Sequence, residues 1–260
     1  MPITTSFDPY SPAIISPEQV VKVRPGVFPD TMIVTFQPRT FAVLVEQYET
    51  TPLPSMDLEE EFDSGSPVQA GRAYAVDYQG RTLACCLSSI GAPGTVAILE
   101  EAIAYGVKKF VVFGSCGGLV PHVEEGGLIV PSAAYRDEGT SYHYAFSSDY
   151  ISIPSAAKTA QILTNLGVPH TVAKVWTTDG FYRETKTNMA KRVAEGCVAV
   201  DMEASAVAAL AQFRSVDIHQ FLWTADSLDA SGWDPRALGK LPTEPRARYL
   251  RIAMEIAVRL

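Results

Sequence analysis

Cys197-Val198-Ala199-Val200-Asp201-Met202-Glu203-Ala204-Ser205-Ala206 decides the fold. The first four residues are an apolar run of strand length, and from Ala204 to Phe213 helix-favouring alanines take over. A strand that passes straight into a helix is half of a β-α repeat, and open α/β sheets hold ligands in the crevice beyond such strand ends. Glu203 stands at that junction, where a carboxylate can grip the hydroxyls of a sugar. A second reading fits equally: Asp201 and Glu203 complement the dipole of the new helix, as acids in a first turn do.

Strands and helices alternate on both sides of this junction. Thr31 to Phe36 is a β-branched strand ended by Gln37-Pro38, and a helix follows from Arg39 to Tyr48. Ala73 to Tyr78 and Thr82 to Leu87 form a hairpin around Gln79-Gly80. Thr95 N-caps a helix that runs to Tyr105 and stops at Gly106, Ser155 caps another stopped by Gly167, and Thr243 and Pro245 open a C-terminal helix. Met1 to Pro29 is proline-rich and irregular, and Thr51 to Ser66 reads as an acidic loop. The alternation predicts an α/β fold: one domain over residues 1–260, with a central twisted mixed sheet flanked by helices.

The composition narrows the function. The chain of 260 residues is 47% hydrophobic, enough for a sizeable core. Its formal net charge of −8 repels a polyanionic backbone, so no nucleic-acid partner is expected. No stretch approaches the ~18 apolar residues of a membrane span, and the N-terminus has no signal-peptide pattern, so a cytoplasmic protein without a membrane partner is expected. Cys85, Cys86, Cys116 and Cys197 lack metal or redox spacing and read as buried free thiols. The scattered histidines predict no metal site, and His143, between Tyr142 and Tyr144, reads as a hydrogen-bonded structural residue.

Two further segments carry chemistry. Phe110-Val111-Val112-Phe113 is an apolar strand running into Gly114-Ser115-Cys116-Gly117-Gly118, a glycine-rich turn that is neither a dinucleotide fingerprint nor a P-loop. Its backbone N–H groups and the Ser115 hydroxyl can face an anion or a polarised water; as an alternative it is a tight turn only. Asp226 ends the apolar run Phe221-Leu222-Trp223-Thr224-Ala225, where partial burial would raise its pKa and keep a transferable proton; the alternative there is a helix or turn cap.

These segments occur in order with Ser88-Ser89-Ile90-Gly91-Ala92-Pro93, Glu125-Gly126-Gly127-Leu128-Ile129-Val130-Pro131, Arg136-Asp137-Glu138-Gly139-Thr140-Ser141-Tyr142-His143-Tyr144, Thr178-Asp179-Gly180-Phe181-Tyr182 and Thr224-Ala225-Asp226. From about residue 30 to residue 257 the chain resembles the nucleoside phosphorylase/nucleosidase superfamily. The resemblance implies cleavage of the N-glycosidic bond of nucleosides, with phosphate as co-substrate and no cofactor. It implies that Glu203 binds ribose with Met202 packed beneath it, that Gly114 and Ser115 contact phosphate, and that Ser89 and Phe181 bind substrate. Asp226 would protonate N7 of a departing purine, where uridine phosphorylases carry an apolar residue. The family also implies a homo-oligomer, a dimer or a hexamer.

The chain departs from the family at three places. Val112 stands where phosphorolytic members have an arginine, and Phe36-Gln37-Pro38 stands for Gly-Asp-Pro. Either Arg39 or Arg72 supplies the missing phosphate ligand, or the nucleophile is water; for Arg72 a plain surface charge is the preferred reading. Thr185 and Thr187 replace the uracil-reading Gln and Arg. Purine nucleoside phosphorolysis is therefore the leading expectation, with a phosphate-independent nucleosidase, a uridine phosphorylase-like enzyme and a non-catalytic nucleoside-binding protein as alternatives.

Overall fold

Thr31–Thr35 (β1) is apolar or β-branched at every position, and all five residues are buried, so the strand has no solvent face. In the computed structural model it lies between Arg81–Leu87 (β4) and Lys109–Gly118 (β5), parallel to both. The structure describes residues 2–21, 26–54, 56, 68–229, 232–236 and 238–260. They group into two compact units: Tyr10–Ile90, Gly94–Phe113 and Pro242–Leu260 form one, and Met1–Pro9, Gly91–Pro93 and Gly114–Leu241 the other.

In the first unit a single turn at Pro17–Val20 (α1) precedes β1, which feeds Pro38–Gln47 (α2). Thr50–Pro52 (β2) and Ala73–Tyr78 (β3) extend the sheet in the order β2-β3-β4-β1-β5, with β2-β3 and β3-β4 antiparallel. The β3-β4 hairpin turns through Gln79 and Gly80, both at positive φ (49° and 77°), which is the twist a two-residue hairpin loop needs. Helix Thr243–Ala257 (α7) packs against α2 and β1. Two expectations are corrected here. Helix Ala92–Ala104 (α3) begins three residues before Thr95, because Pro93 suits a first helical turn; Thr95 is a buried helical residue whose hydroxyl donates to the Ser89 carbonyl (3.2 Å). The loop assigned to Thr51–Ser66 starts with strand residues of β2, while residues 55 and 57–67 lie outside the described set.

The second unit carries Leu128–Asp137 (β6), Tyr150–Ser152 (β7), Ala156–Asn165 (α4), His170–Thr178 (β8), Lys186–Ala194 (α5), Cys197–Asp201 (β9), Ala204–Arg214 (α6), Asp217–Asp229 (β10) and Gly232–Asp234 (β11). Its strand order is β11-β10-β6-β8-β9-β5, parallel across β6-β8-β9 and antiparallel elsewhere, with β7 on β6. The chain thus forms the α/β mixed sheet with helices that the alternation predicts. Every residue from Ala204 to Leu210 is buried, so the first two turns of α6 have no solvent face, and their small alanines let strands approach closely. Gly167, at φ 67°, ends α4 as expected, but the Ser155 hydroxyl donates to the Ile218 carbonyl instead of capping that helix.

The segment Gly114–Gly118 is not a turn. It is the second half of β5, pairing antiparallel with β9 through Gly117–Val200 and Gly118–Ala199. Glycine is needed there for room: a Cβ on Gly117 would lie 2.4 Å from Leu228 Cδ1, 3.1 Å from Val200 Cγ1 and 3.4 Å from Asp226 Oδ1. Gly117→Ala is accordingly expected to lower the unfolding free energy by about 1–3 kcal/mol. Denaturant unfolding tests this; an unchanged midpoint would mean that Leu228 and Val200 move aside freely.

Candidate active site

The β9-α6 junction separates two carboxylates that the sequence leaves equivalent. Asp201, the last residue of β9, accepts from the backbone N–H groups of Glu203 (2.9 Å) and Ala204 (2.6 Å) through Oδ2, and from the Thr177 hydroxyl (2.8 Å) through Oδ1. It therefore fastens the start of α6, which is the helix-dipole reading. Burial pushes its pKa up to about 6 against those hydrogen bonds. Glu203 turns elsewhere: its Oε1 accepts the Gly91 N–H at 2.7 Å, and only 7% of the residue is exposed. Burial, then the Asp201 charge, pushes Glu203 up to about 8, with Asp179 adding to the effect. Met202, between them, is half-buried.

Asp226 lies within β10, which continues through Ser227 to Asp229, so it is not a helix or turn cap. The residue is half-buried, Oδ1 faces Gly117, and Oδ2 accepts the Trp233 indole N–H at 2.8 Å. Burial raises its pKa, while the Trp233 hydrogen bond opposes the rise. Gly117 on β5 is paired with Val200 of β9, the residue before Asp201, and a Cβ added to it would lie 3.4 Å from Asp226 Oδ1 on β10. On the same strand Ser115 is half-buried. Its neighbour Cys116 is fully buried, and burial with the charges of Asp201 and Asp226 pushes the thiol well above its usual range, which removes it as a nucleophile.

Phe181 opens a 3₁₀ turn, Phe181–Arg183, placed beyond the end of β8. Phe181 is 50% and Tyr182 87% exposed, and the two rings lie 3.9 Å apart between centroids, tilted by 36°. The next residue, Glu184, is half-buried and pushed up to about 7 by burial and then by the Asp226 charge. It belongs to the same acidic neighbourhood, although nothing in its sequence context distinguishes it from a solvated charge beside Arg183. Thr185 caps α5, its hydroxyl accepting the Asn188 N–H (3.3 Å).

Ser89 belongs to the first unit, where its carbonyl accepts from the hydroxyls of Ser88 (3.1 Å) and Thr95 (3.2 Å). Arg39, exposed on α2, and half-buried Arg72 are in that unit too. His143 is exposed at the end of a 3₁₀ turn, so the hydrogen-bonded role expected of it is not seen; the buried histidine is His219, whose Nδ1 lies 2.8 Å from the Thr159 hydroxyl. All four cysteines are buried and free. Among the described residues no three His, Cys, Asp or Glu side chains are grouped to hold a metal ion, and no helix is long and apolar enough to cross a membrane.

Residues 31–240 match the family model of the phosphorylase superfamily. The chain is 30% identical over 161 residues to a guanosine phosphorylase of Halorubrum lacusprofundi, covering 59% of this chain and 66% of that protein. It is 32% identical over 114 residues to a uridine phosphorylase of Thermococcus kodakarensis, covering 43% of this chain and 41% of that one. A DeoD-type purine nucleoside phosphorylase of Alkaliphilus metalliredigens is 26% identical over 177 residues, 66% of this chain and 76% of that one. The match to the first two thus spans less than two thirds of their own length.

Proposed function

Since the chain belongs to the phosphorylase superfamily, we propose that it cleaves the N-glycosidic bond of purine nucleosides, with phosphate attacking the sugar to give the free base and ribose 1-phosphate. The observation that carries this reading is Asp226, a half-buried carboxyl on a strand interior whose burial favours the protonated form. A purine leaves with an electron pair that needs a proton at N7, and a carboxyl whose pKa is raised by burial is a better source of it than an ordinary carboxylate. As the bond from C1′ to N9 breaks, positive charge grows on the sugar ring. Glu203 ionises most readily in that charge's presence and stabilises it, while Met202 beside it lends an apolar wall. The phosphate oxygen bonds to C1′ from the other side, with the Ser115 hydroxyl and the neighbouring strand amides as its donors, and the adjacent Phe181 and Tyr182 rings offer an aromatic face to the base. The guanosine and purine nucleoside phosphorylases among the relatives favour a purine, and the loss of the uracil-reading pair at Thr185 and Thr187 agrees.

One observation favours a second reading, hydrolysis of the same bond. Val112, at the place of the family's arginine, is 3% exposed and offers no donor to phosphate. Base release from inosine, guanosine, adenosine and uridine, measured with and without phosphate, decides between them. Phosphorolysis predicts release that requires phosphate and yields ribose 1-phosphate from the purine nucleosides. Equal release without phosphate would establish hydrolysis, and no release under either condition would end both readings.

A further inference from the structure

The β10-β11 hairpin places a side chain that the reaction has not yet used. Its register sets Leu228 opposite Trp233, which puts Asp226, two residues before Leu228, on the same face and diagonal to the indole. An aromatic side chain reaches that diagonal, and the Trp233 Nε1–H meets Asp226 Oδ2 at 2.8 Å. Trp233 is 64% exposed, unlike Trp176 and Trp223, which are 1% and 2% exposed. A large indole left that open contributes little to a core, so its position calls for a reason other than packing. The segment behind it is anchored: Arg236 takes a left-handed backbone (φ 38°), donates its N–H to Asp234 Oδ1 (3.0 Å), and reaches the Val123 carbonyl through its guanidinium (3.4 Å).

We propose that Trp233 is a positioning residue for the acid of the reaction: its indole N–H holds Asp226 Oδ2 and thereby leaves Oδ1, the oxygen over Gly117, to carry the proton delivered to the base. An indole nitrogen is a donor only and cannot share a proton lying on Oδ2, so the doubly useful arrangement is the one with the proton on Oδ1. The bond also holds the carboxyl in one rotamer, which a strand residue with one open side would otherwise leave free. The charged and titratable groups around Asp226 are Asp234 and Arg236 in and after β11, Glu184 after the 3₁₀ turn and the buried, neutral thiol of Cys116 on β5. None of them donates a hydrogen bond to Asp226, so Trp233 is the side-chain donor that orients it among the described residues. This inference rests on the purine reading above, in which Asp226 is the acid.

The test compares the full-length parent with Trp233→Phe, which keeps an aromatic ring and loses the N–H. With inosine the variant is expected to lose about tenfold in kcat/KM at its optimum, and the alkaline limb of its pH profile is expected to move up by about one unit, because the carboxylate loses a donor that favours ionisation. Nitrophenyl riboside, whose leaving group needs no proton, is expected to react at the parent's rate. Independently of turnover, the exposed indole N–H resonance of the parent, assigned by its absence in Trp233→Phe, is expected to titrate with Asp226 and to stop titrating in Asp226→Asn. An active parent whose alkaline limb is unmoved in Trp233→Phe overturns the positioning role and leaves the purine reading intact. A parent that releases no purine overturns that reading, and the positioning role with it.

Discussion

Glu203→Gln is expected to lose about 10²–10³-fold in kcat/KM and yet to melt at a higher temperature than the parent at pH 9. The loss follows from charge. The amide keeps the shape and the contact with the Gly91 N–H is replaceable by its carbonyl oxygen, but no anion remains to face a cationic sugar, a change of the size seen when one preorganised catalytic group is removed. The gain follows from the same burial. The folded-state pKa of about 8 lies above the ordinary 4.5, so the folded chain holds the Glu203 proton more tightly than the unfolded one. Stability from that proton is fully present below pH 4.5 and is lost as the pH rises through 8. A glutamine never ionises and escapes the loss, so parent and variant should melt alike near pH 4 and separate at pH 9. Thermal unfolding at the two pH values, with initial rates on inosine, checks both halves. A variant that melts no higher at pH 9, or one with parental kcat/KM, would show that Glu203 is not the buried sugar-facing carboxyl.

Asp226→Asn should separate substrates by their leaving groups. The substitution removes the acid and leaves the volume of the side chain nearly unchanged. Inosine should therefore slow by about 10²–10⁴-fold, the usual worth of general acid catalysis, and nitrophenyl riboside much less. Burial raises the Asp226 pKa, and the acid works only while protonated, so the parent's rate on inosine falls as the pH rises through that raised value. The variant lacks this alkaline limb. Equal losses on both substrates would assign Asp226 to the fold or to the sugar and remove the main support for a purine.

The β9-α6 junction was legible because an apolar run followed by alanines is both a local pattern and the feature that sets the sheet. The roles of Asp201 and Glu203 were not separable there, since the difference depends on Gly91 and Thr177, distant in sequence, which each carboxylate meets only after folding. The glycines of β5 misled for a related reason. Five residues with three glycines favour a turn locally, and only the side chains of Leu228, Val200 and Asp226 pressing on Gly117 explain why a strand needs them. Glu184 and Trp233 carried no signal at all: an acid beside an arginine and a tryptophan near a surface hairpin are ordinary until the turn after β8 brings the first, and hairpin register the second, to Asp226.

The burial of the acids alters the electrostatic welcome given to an anion. A formal net charge of −8 counts Glu203 and Glu184 as full negative charges at pH 7. With pKa values of about 8 and about 7, the first is mostly neutral and the second is half neutral in the folded chain. The formal count therefore overstates the negative potential where it matters most. In the reaction proposed above, charge regulation of this kind would let an acidic protein admit a phosphate ion without a large cluster of arginines, and would let the missing negative charge reappear on Glu203 as positive charge grows on the sugar.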